Sequence, residues 1–311
     1  MKQRKTAFLT AALGTLASLA SAQTPSAELV SLMDVGFYEQ NGNFFADGLC
    51  LVFPPDGEKT YELVIRGADG AVQGKAGLQV QRWSEYPVFD GLGSRGVPVL
   101  ELGKAGSFVM SVDMDGQPIT SLPFTIEVEE SGDPFQPGET FHREGPWRNL
   151  AFLASPAGKP DQPLAFHFWT NVREIPKVDA KHPKANVRVL LNDELVALYK
   201  DSVSIAGTKW KRHNRGLVTS EEPRGRHAFT LEKLLARDGA YTVVVEAGER
   251  EIKRFPLVVA GGKVQPHPRT SFDTEPHTDY VVPKFVDRSS GSSGGFQMLD
   301  VYWLQTSETD K

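Results

Sequence analysis

The chain has 311 residues, 40% of them hydrophobic and 23% charged, with a formal net charge of −5. That balance is enough for sizeable packed cores and gives no general attraction to nucleic acid. The single cysteine, Cys50, excludes an internal disulfide framework; it reads as a thiol buried like a small apolar side chain, with intermolecular pairing as the alternative.

Met1 to Ala22 joins Lys2, Arg4 and Lys5 to the apolar run Ala7 to Ala20 and the small-residue site Ala20-Ser21-Ala22. This is the pattern of an export signal, and its apolar run is shorter than the roughly 20 residues a spanning helix needs. It predicts an exported chain, periplasmic or extracellular, with no transmembrane segment once the signal is removed. From Val30 onward, short segments of alternating polarity separated by Gly, Pro and Asp predict strands, with almost no helical periodicity.

These segments recur. Ala105 to Val128 lies without a gap over Asp238 to Gly261 at a constant offset of 133, with Gly106/Gly239, Val112/Val245, Ile119/Ile252 and Pro123/Pro256 identical. Phe108, Met110 and Val112 in one copy, and Tyr241, Val243 and Val245 in the other, take the inward positions of a strand. Asp115-Gly116, or Ala247-Gly248-Glu249, then turns the chain into a second strand, which makes each copy a hairpin. Asp113 and Asp115 belong to that hairpin and not to a calcium loop, because the residues after them supply no ligand series. Upstream, Gly36-Phe37-Tyr38 corresponds to Ala151-Phe152-Leu153, Leu49–Phe53 to Leu164–Phe168, Tyr61–Lys75 to Asn186–Lys200, and Trp83 to Trp210. Leu231 to Arg237 reads as a single helical turn. The expected layout is therefore a signal peptide (1–22), a β-sandwich (30–130), a linker (131–148) with Trp147 placed to wedge between the domains, a second β-sandwich (149–262) and a tail (263–311). Within the tail, a Ser/Gly stretch (289–295) separates two strand-like runs, Tyr280–Arg288 and Phe296–Leu304. These pair as a C-terminal β-hairpin; in the alternative, the last strand (296–304) is donated to a partner or mediates self-association.

The run Asp238-Gly239-Ala240-Tyr241-Thr242-Val243 resembles the tyrosine corner of immunoglobulin-like and fibronectin type III-like β-sandwich domains. The resemblance implies an all-β fold of two tandem Ig-like antiparallel sandwiches with a C-terminal extension, and a tyrosine hydroxyl bonded back to the backbone. The first copy departs from the pattern, since Phe108 has no hydroxyl and must rely on packing. Leu164, Phe166 and Phe168 take inward positions, which puts Cys50, aligned with Ala165, on the other face. The likeness is specific to the architecture and carries no function.

Two motif matches fail on context. Gly91 to Gly96 spells G-x-G-x-x-G, but the following Val97-Pro98-Val99-Leu100 is extended and gives no helix N-terminus for a pyrophosphate. Gly291 to Gly295 spells G-x-S-x-G inside a low-complexity stretch, without the strand and helix that strain a nucleophilic serine into place. The metal candidates are Asp273, Glu275, His277 and Asp279, whose alternate spacing puts four ligands on one side of an extended segment; a solvated loop is the bland reading, and no cofactor is expected. The sharper signal is a basic loop after Trp210, with Lys209, Lys211, Arg212, Arg215, Arg224 and Arg226, suited to an acidic protein or an anionic envelope polymer; the alternative is an ordinary solvated loop that happens to be basic. The first copy carries Trp83, Tyr86 and Phe89 instead, an aromatic contact surface or a buried patch. With no nucleophile and base pair standing out, these residues predict a non-enzymatic binding or structural protein of unknown partner. A periplasmic chaperone-like protein and a metal-dependent hydrolase are the alternatives.

Overall fold

The computed structural model describes residues 37–40, 43–46, 50–52, 60–77, 79–83, 86–90, 100–101, 105–130, 138–175, 184–205, 210–220, 227–266, 285–288 and 296–306. The expected signal peptide and the Ser/Gly stretch lie outside them. In chain order the strands are β1 (Phe37–Gln40), β2 (Asn43–Ala46), β3 (Cys50–Val52), β4 (Tyr61–Gly67), β5 (Val72–Gly77), β6 (Gln79–Trp83), β7 (Tyr86–Asp90), β8 (Leu100–Glu101), β9 (Gly106–Met114), β10 (Gln117–Glu130) and β11 (Glu139–Glu144). They continue as β12 (Leu150–Pro156), β13 (Ala165–Thr170), β14 (Lys184–Leu191), β15 (Glu194–Leu198), β16 (Val203–Ser204), β17 (Lys211–Gly216), β18 (Val218–Thr219), β19 (Gly239–Ala247), β20 (Arg250–Ala260), β21 (Lys263–Val264), β22 (Phe285–Arg288) and β23 (Phe296–Gln305), with one short helix, α1 (Leu231–Leu235). Among the described residues they form antiparallel sheets ordered β1-β2-β8, β3-β7-β6, β11-β10-β9-β4-β5, β17-β13-β12-β23-β22 and β18-β15-β14-β19-β20-β21, with β16 on β14. The fold is all-β and built of several sheets, consistent with a sandwich of the immunoglobulin and fibronectin type III kind.

The sequence repeat is a repeat of one sheet. The order β10-β9-β4-β5 returns as β20-β19-β14-β15, and the hairpins close at equivalent pairs, Met114 opposite Gln117 and Ala247 opposite Arg250. In the first hairpin Ile119 is the extra residue between Pro118 and Thr120; in the second Ile252 is the extra residue between Glu251 and Lys253. A second bulge also recurs: Gln73 in β5 is the extra residue opposite Ile65 and Arg66, and Val196 in β15 the extra residue opposite Val189 and Leu190. A bulge sets local twist and re-aims the side chains beyond it, so its repetition fixes the same sheet shape twice. Turn chemistry is freer. Asp115 and Gly116 both have positive φ, 49° and 79°, as a type I′ turn requires, whereas the second hairpin turns through Gly248 at 63°.

One correspondence moves by a residue. Tyr61 sits opposite Met114 and Ala185 opposite Ala247, so Tyr61 matches Ala185 and not Asn186. Side chains alternate with period two, and only this register puts Leu63 and Ile65 in the same buried positions as Val187 and Val189. The other layer does not repeat in the same way. β1 pairs with β2, whereas its counterpart β12 pairs with β13 and β23.

The best-formed core lies between the last two sheets in the order above. Leu153, Phe166, Phe168 and Leu304 from one meet Val187, Val189, Val243, Val245, Phe255 and Leu257 from the other, and the Phe166 and Phe255 rings cross edge-on at 5.7 Å. Each such side chain contributes roughly 1.5–3 kcal/mol by leaving water. Thr230 caps α1, its hydroxyl accepting from Lys233 N at 3.3 Å, and Leu231 and Leu234 close that end of the core. The tyrosine corner is formed: the Tyr241 hydroxyl is shared between Leu234 O at 3.1 Å and Arg237 O at 3.0 Å. In the first copy Phe108 instead stacks on Phe124, centroids 5.6 Å apart.

The C-terminal segment is a hairpin on its own chain. β22 pairs with β23 at Phe296–Leu299, and β23 pairs with β12 from Leu150–Gln305 to Pro156–Leu299. β12 thus takes one side of β23 over Leu299–Gln305 and β22 the other over Phe296–Leu299.

Tyr241→Phe keeps the ring and removes the hydroxyl from two carbonyls in the closed end of the core. It should lower unfolding free energy by about 1–3 kcal/mol with an unchanged far-ultraviolet circular dichroism spectrum, read by urea denaturation.

Candidate functional site at the inter-repeat junction and the edge strand

The first repeat runs directly into the second. β11 extends the first sheet, Glu139–Glu144 pairing with Thr125–Glu130 of β10. The chain then passes Gly145 and a 3-10 turn, Pro146–Arg148, into β12. The stretch that reads as a linker by its charge and its Gly and Pro content thus contains a strand. Its charges are used locally, His142 Nε2 lying 3.0 Å from Glu129 Oε2. Trp147 is fully buried. Its ring lies so close over Gly145 that a Cβ there would come within 2.3 Å of it, so only glycine fits. The Arg143 guanidinium is 5.6 Å from the same indole, and burial pulls its pKa down to about 9 against the opposing influence of Glu144.

Behind this turn lies a buried ion pair. Lys253 continues the inward row of Phe255, Leu257 and Val259 on β20, at the end where apolar core gives way to polar groups. Its Nζ is 2.9 Å from Glu174 Oε1, donates to Arg148 O at 2.6 Å and sits 4.9 Å from the centroid of Trp210. Glu174 is held by a capping box on the 3-10 turn Val172–Glu174, where the Asn171 side chain accepts from Arg173 N at 3.0 Å. Arg173 reaches back to Glu127 at 3.3 Å and Glu144 at 3.2 Å, and Arg148 lies 3.7 Å from Glu144. Charges from β10, β11, both turns and β20 therefore meet in one place.

Burial is the largest influence on each of the buried members. It raises the pKa of Glu174 against Lys253, and lowers that of Lys253 against Glu174. It also raises Glu144, against Arg148 and Arg173. The ionised pair is thus costly where it stands, and its value is in fixing which surfaces meet. Lys253 has 3% side-chain exposure, which leaves its amine closed to any substrate.

Strand β17 starts one residue after Trp210, which is itself buried. The expected basic loop is in part a strand: Lys211, Arg212 and Arg215 lie on β17, at the edge of its sheet. Lys211 is exposed and Arg212 half-buried. Arg215 packs its guanidinium 5.5 Å from the centroid of Tyr199 and donates to Asn214 O at 2.9 Å. Between them His213 is buried, its Nε2 2.7 Å from Thr170 Oγ1. Burial first, then Arg215, Lys211 and Lys253, hold its pKa down at about 3.

Lys209, Arg224 and Arg226 lie outside the described residues, as do the metal candidates Asp273, Glu275, His277 and Asp279 and the two glycine motifs. Trp83 and Tyr86 are opposite each other at the turn of the β6–β7 hairpin, and Phe89 is opposite Val80 and Leu51. Backbone pairing thus brings the three aromatics onto one hairpin, far in sequence from the basic strand. Among the described residues no cluster of three His, Cys, Asp or Glu is placed to hold a metal. Ser111 donates to Asp113 at 2.6 Å, but Arg66 occupies the same carboxylate at 2.5 Å, which makes this an ion-pair cluster and not a nucleophile with its base. A cleft of about 490 Å³ between α1 and the β15–β18 edge is lined in part by Ser220, Lys233 and Arg237. Those groups bond internally, to Leu195 O at 2.8 Å, Ala228 O at 2.8 Å and Glu194 at 3.5 Å.

Sequence reasoning did not single out Glu144, Glu174 or Lys253. The N-x-x-E spelling of Asn171 to Glu174 is a legible cap, but nothing local to Lys253 announces a buried lysine.

Two expectations follow from this geometry. Lys253→Met leaves Glu174 buried without its cation and should cost about 3–5 kcal/mol in urea denaturation, most of it recovered in Lys253→Met/Glu174→Leu. A histidine with a lowered folded pKa contributes stability that is present above its ordinary value of 6.5 and lost as pH falls toward the folded value. Between pH 6 and pH 4 the chain should therefore lose about 1.4 kcal/mol per pH unit more than a His213→Gln variant.

Comparison with known proteins gives no match, whether to a family model, a curated protein or a solved structure.

Proposed function

We propose that the chain is an exported, non-enzymatic binding or structural protein of the cell envelope or extracellular space. Two tandem Ig-like sandwiches, 30–130 and 149–262, present their surfaces to a protein or an anionic polymer. The observation that carries this is the repeat of a four-stranded sheet with both bulges in place, set against the divergence of what the copies display. One carries Trp83, Tyr86 and Phe89 on a hairpin and the other has a basic strand at the same stage of the chain. A framework kept while its surface changes is the pattern of a scaffold that carries contacts. No helix among the described residues is long and apolar enough to cross a membrane, which is compatible with export of the whole mature chain.

The test uses the full chain with a C-terminal tag, expressed in a bacterium and fractionated. The mature protein should begin at Gln23, and its retention on anionic envelope material should fall with salt and be lost in Lys209→Ser/Lys211→Ser/Arg212→Ser/Arg215→Ser. An uncleaved chain kept in the cytoplasm, or hydrolytic activity that depends on added metal, would overturn the proposal.

A further inference from the structure

The cleft between α1 and the β15–β18 edge has a volume of about 490 Å³, within the range of roughly 300–1,000 Å³ that small-molecule sites occupy. Its walls are fixed by the main chain. Thr219 N donates to His227 O at 3.0 Å and Phe229 N to Leu217 O at 2.9 Å, while Ser220 ties β18 to β15 through Val196 O at 3.1 Å and Leu195 O at 2.8 Å. The apolar lining grades from depth to rim: Tyr241 and Phe229 are 2% and 4% exposed, Val196 is half-buried, and Leu195 is left 38% exposed. Across from Leu195 and Val196, the helix presents one small residue and two cations to the same space. Lys233, Ala236 and Arg237 are spaced i, i+3 and i+4, with Ala236 still helical at φ −70° and ψ −16°, so they share a face.

We infer that this cleft binds a small monocarboxylate with an apolar body. The body lies against Leu195, Val196 and Phe229 and over Ala236, whose short side chain leaves the space open, and the carboxylate meets Lys233 and Arg237 at the rim. Both cations keep donors for it. The ammonium has three N–H and uses one, on Ala228 O at 2.8 Å; the guanidinium has five and makes one contact, with Glu194 at 3.5 Å. Charge sets the ligand's sign and number. Lys233 and Arg237 line the cleft against one acid, Glu194, so a single negative charge balances it, whereas a cation adds to the excess and a dianion overshoots it. Walls already held by hydrogen bonds cost little further ordering when a ligand enters. The inference concerns a small-molecule site and does not rest on the proposed contacts with a protein or an anionic polymer.

The ligand used is phenylbutyrate, titrated into the full chain by isothermal calorimetry, with amide shifts followed by nuclear magnetic resonance. Saturable binding should appear at concentrations up to about 10 mM, with shifts centred on 194–196, 219–220, 229 and 233–237. Affinity should fall about ten-fold or more for phenylbutyramide, for phenylbutylamine and for the Lys233→Gln/Arg237→Gln chain, each of which loses charge-assisted hydrogen bonds. Ala236→Phe, at an exposed position, should abolish binding by filling the cleft. Lys184→Gln/Lys263→Gln, two exposed lysines outside the cleft, should leave it unchanged. Urea denaturation checks that each variant is folded; should Lys233→Gln/Arg237→Gln unfold, Ala236→Phe and the two ligand analogues carry the test. Absence of saturable binding overturns the inference, and so do shifts centred elsewhere, equal binding of the amide or the amine, binding indifferent to Ala236→Phe, or an equal loss in Lys184→Gln/Lys263→Gln. Envelope retention is a separate readout: its loss with phenylbutyrate binding intact removes the proposed surface contacts and leaves the cleft, and the reverse result removes the cleft alone.

Discussion

The contact of Lys253 with Glu174 is the constraint on which the arrangement of the two repeats depends. Lys253 belongs to the second sheet, Glu174 to a capped turn after β13, and the third partner, Arg148 O, to the turn that leaves the first repeat. Two charges taken out of water stand 2.9 Å apart, and the lysine also donates to Arg148 O, so each is satisfied where it is buried. Around them Arg173 ties Glu127 and Glu144 of the first sheet to the same place. Trp147 and Gly145 set the path of the chain with no room for a side chain between them. The ion pair lies within the second repeat, and Arg148 O and Arg173 are where it meets groups of the first.

The equivalent position in the first repeat is Thr120, which has neither the length nor the charge to do this. The two copies thus share a framework and differ in what they add to it. Bulges at Ile119 and Ile252 sit at the same point of the same hairpin because both sheets need the same twist. Hydroxyl and ring divide the remaining work differently. Tyr241 ties the strand to the backbone below it, whereas Phe108 holds through a neighbouring ring.

Much of the fold was legible in the order of residues. Alternation in Tyr241, Val243 and Val245 marked the core face, Asp115-Gly116 the hairpin turn, and the D-x-x-Y run the corner. The failures have physical causes. A one-residue error at Asn186 arose because strand patterns without fixed turns slide, and burial alone decides which face is inward. β11 escaped notice because its sequence, ETFHRE, is mostly polar and becomes a strand by pairing with β10. The basic run after Trp210 looked like a loop for the same reason; β13 supplies the partner that makes it an edge strand.

By itself, then, the sequence determined the all-β class, the repeat, the hairpins and the corner, because each depends on short-range periodicity and on the backbone angles that particular residues allow. Only the tertiary structure decided that a lysine is buried and that a charged stretch is a strand. Those properties belong to pairs of residues distant in the chain, such as Lys253 and Arg148 or Arg173 and Glu127. Local pattern carries no information about which distant group will be within a few ångströms.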